Sequence, residues 1–96
     1  MRFTKNLAGS FRFAKYEGAG NDFILIDDRD CQFPLDQKHL SSLCDRKKGI
    51  GADGLVLWQS SSVADMRMRI FNADGHEVGQ CGNGARCFIR YVLDHN

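Results

Sequence analysis

Residues 72–87, NADGHEVGQCGNGARC, hold four glycines, two asparagines and two cysteines in sixteen positions. Glycine allows another molecule to come close to the backbone. After Cys81 the apolar residues switch to helical spacing: Ala85, Phe88, Ile89 and Val92 follow the i, i+3, i+4, i+7 rule and predict a helix over about 83–94. The first N–H groups of a helix have no partner within it and carry the positive end of its dipole. CGNG is therefore suited to hold a carboxylate, with the N–H groups of Gly82, Asn83 and Gly84 as donors. The same field lowers a thiol pKa from its free value of about 8.5. On this reading Cys81 is a partly exposed, readily ionised base or nucleophile. The competing reading is a buried structural cysteine at a helix start, because cysteine is among the most buried residue types.

The other chemically capable residues have plainer readings. Cys87 lies inside the expected helix and Cys44 on an apolar helical stripe, so both are expected in the core; Cys31 sits in a loop with no evident role. No Cys-x-x-Cys pair occurs, and the spacing of Cys81 and Cys87 fits structural zinc poorly. His39 is expected on a solvated helix face and His95 at the chain end. His76 belongs either to the Cys81 site or to a turn, and Asp74-Gly75 reads as a turn. GIGADG (49–54) matches G-x-G-x-x-G literally. A dinucleotide site needs a strand before that motif and a helix after it; here the order is reversed, and Gly49 reads as a helix stop.

The elements that must position these residues are legible from periodicity. FRFAKY (11–16), DFILIDD (22–28) and GLVLWQ (54–59) read as strands. DMRMRIF (65–71) alternates, with Met66, Met68 and Ile70 on one face and Arg67, Arg69 and Phe71 on the other. Asp36 reads as the N-cap of a helix carrying Leu40, Leu43 and Cys44, with RKK as its basic last turn before Gly49. Strands dominate and two helices accompany them, which gives an α+β domain.

Length and composition bound the function. Ninety-six residues make one small domain with a modest core. Thirteen basic residues against twelve acidic ones lack the excess that phosphate neutralisation needs, which argues against nucleic acid. The longest clear apolar run, FILI, is far short of a membrane span of about 20 residues. The N-terminal residues lack an h-region and a cleavage site, so a soluble cytoplasmic protein with reduced thiols is expected.

Three segments, GAGNDFILID (18–27), DRKKGIGADGLV (45–56) and FNADGHEVGQCGNGARCF (71–88), resemble the N-terminal part of diaminopimelate epimerase, in matching order and spacing over about residues 13–93. The resemblance implies a curved mixed β-sheet wrapped around a central helix, an incomplete half of a two-half enzyme. Residues 1–10 are expected to be a flexible leader and the C-terminal domain to lie outside this chain. It implies interconversion of LL- and meso-diaminopimelate, for lysine and peptidoglycan precursors, without pyridoxal phosphate, metal or other cofactor. Two cysteines on opposite faces of the α-carbon exchange the proton; Cys81 matches the first. Asn21 and Asn72 match substrate-binding residues, Asn72 near the distal end of the substrate, and the backbone of Gly82 and Asn83 matches part of the α-carboxylate cradle. Gly54 stands where some members carry Gln, and Glu17 where several carry His. The second cysteine belongs to the C-terminal half, so this chain alone is expected to be inactive. Its expected partners are an amino-acid substrate, the missing half and a second copy in a homodimer. Related cofactor-independent racemases or isomerases, of the proline racemase or phenazine-pathway kind, and a non-catalytic amino-acid-binding domain are the alternatives.

Overall fold

A computed structural model describes residues 2–6, 9–63, 66–79 and 82–95, with side chains from residue 11 onward. Among the described residues, six strands form one mixed sheet in chain order: β1 (Arg2–Asn6), β2 (Gly9–Gly18), β3 (Asn21–Asp27), β4 (Gly54–Gln59), β5 (Arg67–Asn72) and β6 (Glu77–Val78). All neighbours are antiparallel except β3 and β4. A parallel pair needs a long crossover, and the segment between these strands supplies it together with helix α1 (Gln37–Cys44). Helix α2 (Gly82–His95) closes the chain order. The expected α+β arrangement, a mixed sheet packed on a helix, is the one observed. No helix among the described residues is long and apolar enough to cross a membrane.

Strand alternation splits the core in two. Phe13, Ile24, Ile26, Leu55, Leu57 and Phe71 point to one face, where they meet Leu40 and Cys44 of α1. Ala14, Phe23, Leu25, Val56, Trp58 and Ile70 point to the other, where they meet Cys87, Phe88, Tyr91 and Val92 of α2. β4 is buried along its whole length because both of its faces are covered. The period-2 pattern of β5 is as expected, with Met66, Met68 and Ile70 on the α2 side and Phe71 on the α1 side.

Several expectations are corrected. Within the segment expected to be a leader, Arg2–Asn6 form β1, which pairs with β2 from Arg2↔Phe13 to Asn6↔Gly9. α1 starts as expected, with the Asp36 carboxylate accepting from the His39 N–H at 3.3 Å. It stops at Cys44 rather than at Gly49 and has no basic last turn. Asp45 is extended, and its carboxylate accepts from the N–H groups of Lys47 and Lys48, which folds RKK into a turn outside the helix. His39 is half-buried rather than solvated: its ring lies 5.6 Å from Phe33, and its Nε2 is buried without a hydrogen-bond partner. The buried stripe of α2 is Gly84, Cys87, Phe88, Tyr91 and Val92, rotated about 80° from the expected one, so Phe88 and Val92 stay inside and Ile89 faces out. Small residues turn inward because the helix sits close to the sheet: a Cβ on Gly18 would lie 3.5 Å from Cys87 Sγ.

Candidate functional site

The hairpin joining β2 to β3 sets the site's first residue. Gly18 pairs with Asn21, leaving Ala19 and Gly20 as a two-residue loop. Both have positive φ, 54° and 87°, as a type I′ turn requires. This turn delivers Asn21 and Asp22 to the start of β3. In the parallel neighbour β4 the matching end is Gly54, which pairs with Phe23 on one side and Asn72 on the other. The start of β3, the start of β4 and the end of β5 therefore share one end of the sheet. Two strand spacings, about 10 Å, separate Phe23 from Asn72 across that end.

The first turn of α2 reaches the same end. Asn83 Nδ2 donates to Asn21 Oδ1 at 2.7 Å, bridging 62 positions of sequence. Gly82, the first residue of α2, is exposed, and a Cβ built on it meets no atom within 4 Å. The backbone there is open to a ligand, and the orphan N–H groups of a helix start suit an anion. Of the residues singled out from the sequence, the structure thus joins Asn21 to Asn83 and puts Gly82 beside them. Asn72 is exposed at the end of β5, where its N–H donates to the His76 carbonyl at 2.9 Å and its carbonyl accepts from Gly75. Cys81 lies outside the described residues.

A charged network underlies this end of the sheet. The Asp22 carboxylate accepts from both Arg46 Nη atoms, at 3.1 and 2.8 Å, and from Lys15 Nζ at 2.9 Å. Arg46 Nη2 also reaches Asp53 Oδ1 at 3.1 Å. Asp53 Oδ2 accepts from the Asp22 N–H at 3.1 Å and from Asn21 Nδ2 at 3.3 Å. The Arg46 hydrogen bonds, aided by Lys15, hold the Asp22 carboxyl well below the usual carboxylate range, although partial burial opposes them. The sequence reading did not single out these four residues. Asp22, Arg46 and Asp53 fall within the segments GAGND and DRKKGIGADG, and their complementary charges in glycine-rich turns were the available signal.

The remaining candidates take structural places. Cys44 is buried, and burial pushes its thiol up to about 11, as befits an inert core cysteine. Cys87 is buried against the sheet, and Cys31 is exposed. His76 is exposed and pairs with Asp74 at 3.3 Å within the turn. Glu17 is exposed on β2. Gly54 has no room for a side chain as placed: a Cβ would lie 2.8 Å from the Phe71 carbonyl oxygen and 3.0 Å from the Phe23 ring.

Comparison with known proteins identifies the family and the fold. The family model described as Diaminopimelate epimerase matches residues 13–96. The diaminopimelate epimerase of Nitrosospira multiformis is 54% identical over 85 residues, covering 88% of this chain and 31% of that protein. That of Caldanaerobacter subterraneus subsp. tengcongensis is 52% identical over 84 residues, covering 86% and 30%. A chloroplastic relative from Oryza sativa subsp. japonica is 46% identical over 87 residues, covering 88% and 25%. The chain thus spans less than a third of the length of these relatives. Among solved structures, the Bacillus anthracis phenazine biosynthesis protein of the PhzF family superposes with a TM-score of 0.58 at 24% identity, over 88% of this chain and 27% of that one, which shows a shared fold. The chain belongs to the diaminopimelate epimerase family.

Proposed function

We propose that this chain supplies one proton-transfer group and part of the substrate cradle of a cofactor-independent epimerase that interconverts LL- and meso-diaminopimelate in the cytoplasm. The observation that carries the reading is the Asn21–Asn83 hydrogen bond, which brings the start of β3 and the first turn of α2 together at one end of the sheet. The segment concerned lies within the match to the family model.

The chemistry follows from the requirements of the reaction. An amino-acid α-proton is very weakly acidic, so the developing carbanion must be stabilised strongly. The N–H groups of Gly82 and Asn83 would take the α-carboxylate at the positive end of α2, and that stabilisation grows as charge moves onto the carboxylate. Cys81, immediately before Gly82 in the chain, would remove the proton as thiolate. The C–H electron pair passes into the carboxylate-conjugated carbanion, and a second thiol from the remaining length of the enzyme returns a proton to the opposite face. One proton leaves and one arrives, and thiol and thiolate exchange roles for the reverse reaction. Asn21 would bind the reacting end of the substrate and Asn72, across the sheet end, the distal amino-acid end.

The protein as its source cell makes it, incubated with LL-diaminopimelate in D₂O, is expected to yield the meso form with deuterium at the inverted carbon. Cys81→Ala is expected to lower kcat by at least about a thousandfold. Undiminished turnover in that variant would remove Cys81 from the reaction. Alkylation by iodoacetamide in a Cys31→Ser background is expected to show a thiol titrating below about 8.5.

A further inference from the structure

We propose that Asp53 is a positioning residue that fixes which way the Asn21 and Asn83 carboxamides point. The inference rests on the epimerase reading of this sheet end and adds a residue to it. Asn21 is bonded at both ends of its amide: Nδ2 donates to Asp53 Oδ2 at 3.3 Å, and Oδ1 accepts from Asn83 Nδ2 at 2.7 Å. An ionised carboxylate can only accept. It therefore draws the Asn21 nitrogen toward itself and turns the Asn21 oxygen toward Asn83. Asn83 must then spend an N–H on Asn21, which keeps its own Oδ1 as the acceptor end of that amide. A substrate with an α-ammonium beside an α-carboxylate needs an acceptor next to backbone donors, and this polarity provides it. Without Asp53 both amides could turn over by half a rotation, exchanging acceptor for donor.

Asp53 is held firmly enough to set that polarity. Its Oδ2 also accepts from the Asp22 N–H at 3.1 Å, its Oδ1 meets Arg46 Nη2 at 3.1 Å, and its own N–H donates to the Asp22 carbonyl at 3.0 Å. The last of these is a backbone bond that survives side-chain substitution. Asp53 is exposed at the surface, so its variants are expected to fold.

The test is a mutant cycle on the full-length active protein. Asp53→Ala is expected to lower kcat/KM about tenfold to a hundredfold, the usual worth of a hydrogen bond to a charged group. Asp53→Asn, whose amide oxygen the Asp22 N–H holds at the place facing Asn21 while the acceptor facing Arg46 is lost, is expected to return to within about threefold of wild type. Asp53→Ala placed in an Asn21→Ala background is expected to cost nothing further, because its effect passes through Asn21. A wild-type kcat/KM for Asp53→Ala, an Asp53→Asn variant as impaired as Asp53→Ala, or full additivity in the double variant would each overturn the proposal. If the wild-type protein proves not to be an epimerase, the functional reading falls and the positioning is still decided by ¹⁵N NMR. The Asn21 and Asn83 side-chain amide signals are expected to be dispersed in wild type and Asp53→Asn and to collapse toward solvent-averaged positions in Asp53→Ala; unchanged signals would refute it.

Discussion

At the scale of single residues, the decisive positions are those where no other side chain meets the local constraint. Gly75 has φ +89°, and a Cβ there would lie 2.4 Å from the carbonyl oxygen of Gln37 in the first turn of α1. The turn after β5 is therefore pressed against α1, and DG was readable as a turn without revealing what it abuts. Gly75→Ala combines an unfavourable backbone conformation with a backbone clash and is expected to destabilise by about 2–4 kcal/mol. Urea unfolding followed by circular dichroism checks this, and an unchanged midpoint would show that the turn moves freely away from α1. Asp28 presents the opposite case, a buried carboxylate with every role filled. It is 2% exposed; its Oδ1 accepts from the Gln32 and Phe33 N–H groups at 2.8 and 2.9 Å, and its Oδ2 from Gln59 Nε2 at 2.8 Å. Asp28→Ala would strand three donors and is expected to cost about 3 kcal/mol or more.

At the scale of elements, the parts legible in the sequence were those whose burial follows a regular period. β2, β3, β4 and β5 announced themselves through alternation or continuous apolar runs, and α2 through its helical spacing. β6 has two residues, too few to carry a period, and β1 lay outside the segments that carry the family resemblance. The end of α1 falls short of the expected one because a basic run beside a glycine imitates a helix terminus, whereas Asp45 captures the following N–H groups and starts a turn. At the candidate site, the separate residues were legible and their joining was not. The Asn21–Asn83 bond and the Lys15–Asp22–Arg46–Asp53 network depend on strand register and on the loop after α1 folding back, which no local pattern encodes. That network ties β2, β3 and the loop before β4, and it carries a pH signature. The folded-state pKa of Asp22 lies below its unfolded value of about 3.9. Its stabilising contribution is therefore complete above about pH 4 and is lost as the pH falls below that value. Between pH 5 and 2 the urea midpoint of the wild type is expected to fall more steeply than that of Asp22→Asn, which should already be the less stable protein at pH 7. Parallel slopes would show that the network contributes nothing to acid sensitivity.

At the scale of the whole molecule, the two faces of the sheet are unequally finished. On the α1 face, Phe33 and Leu40 seal the cluster at 4% and 1% exposure. On the other face, α2 buries one stripe and leaves its outer side apolar, with Ile89 at 58% and Leu93 at 72% exposure beside Phe88, Val92 and Met66. Burying apolar surface is worth about 25 cal/mol per Å², and contiguous exposed apolar surface promotes association. The stripe results from the rotation of α2: turning Gly84, Cys87 and Tyr91 to the sheet sends Ile89 and Leu93 outward. The 96-residue chain is therefore expected to self-associate through this side of α2. Ile89→Lys with Leu93→Lys should shift its sedimentation toward the 10.8 kDa monomer while leaving the unfolding midpoint nearly unchanged at dilutions where both proteins are monomeric, since neither side chain is in the core. Equal sedimentation of the two proteins would exonerate the stripe. A large loss of stability in the double variant would mean that these side chains are buried within the folded monomer, and the placement of α2 on the sheet would need revision.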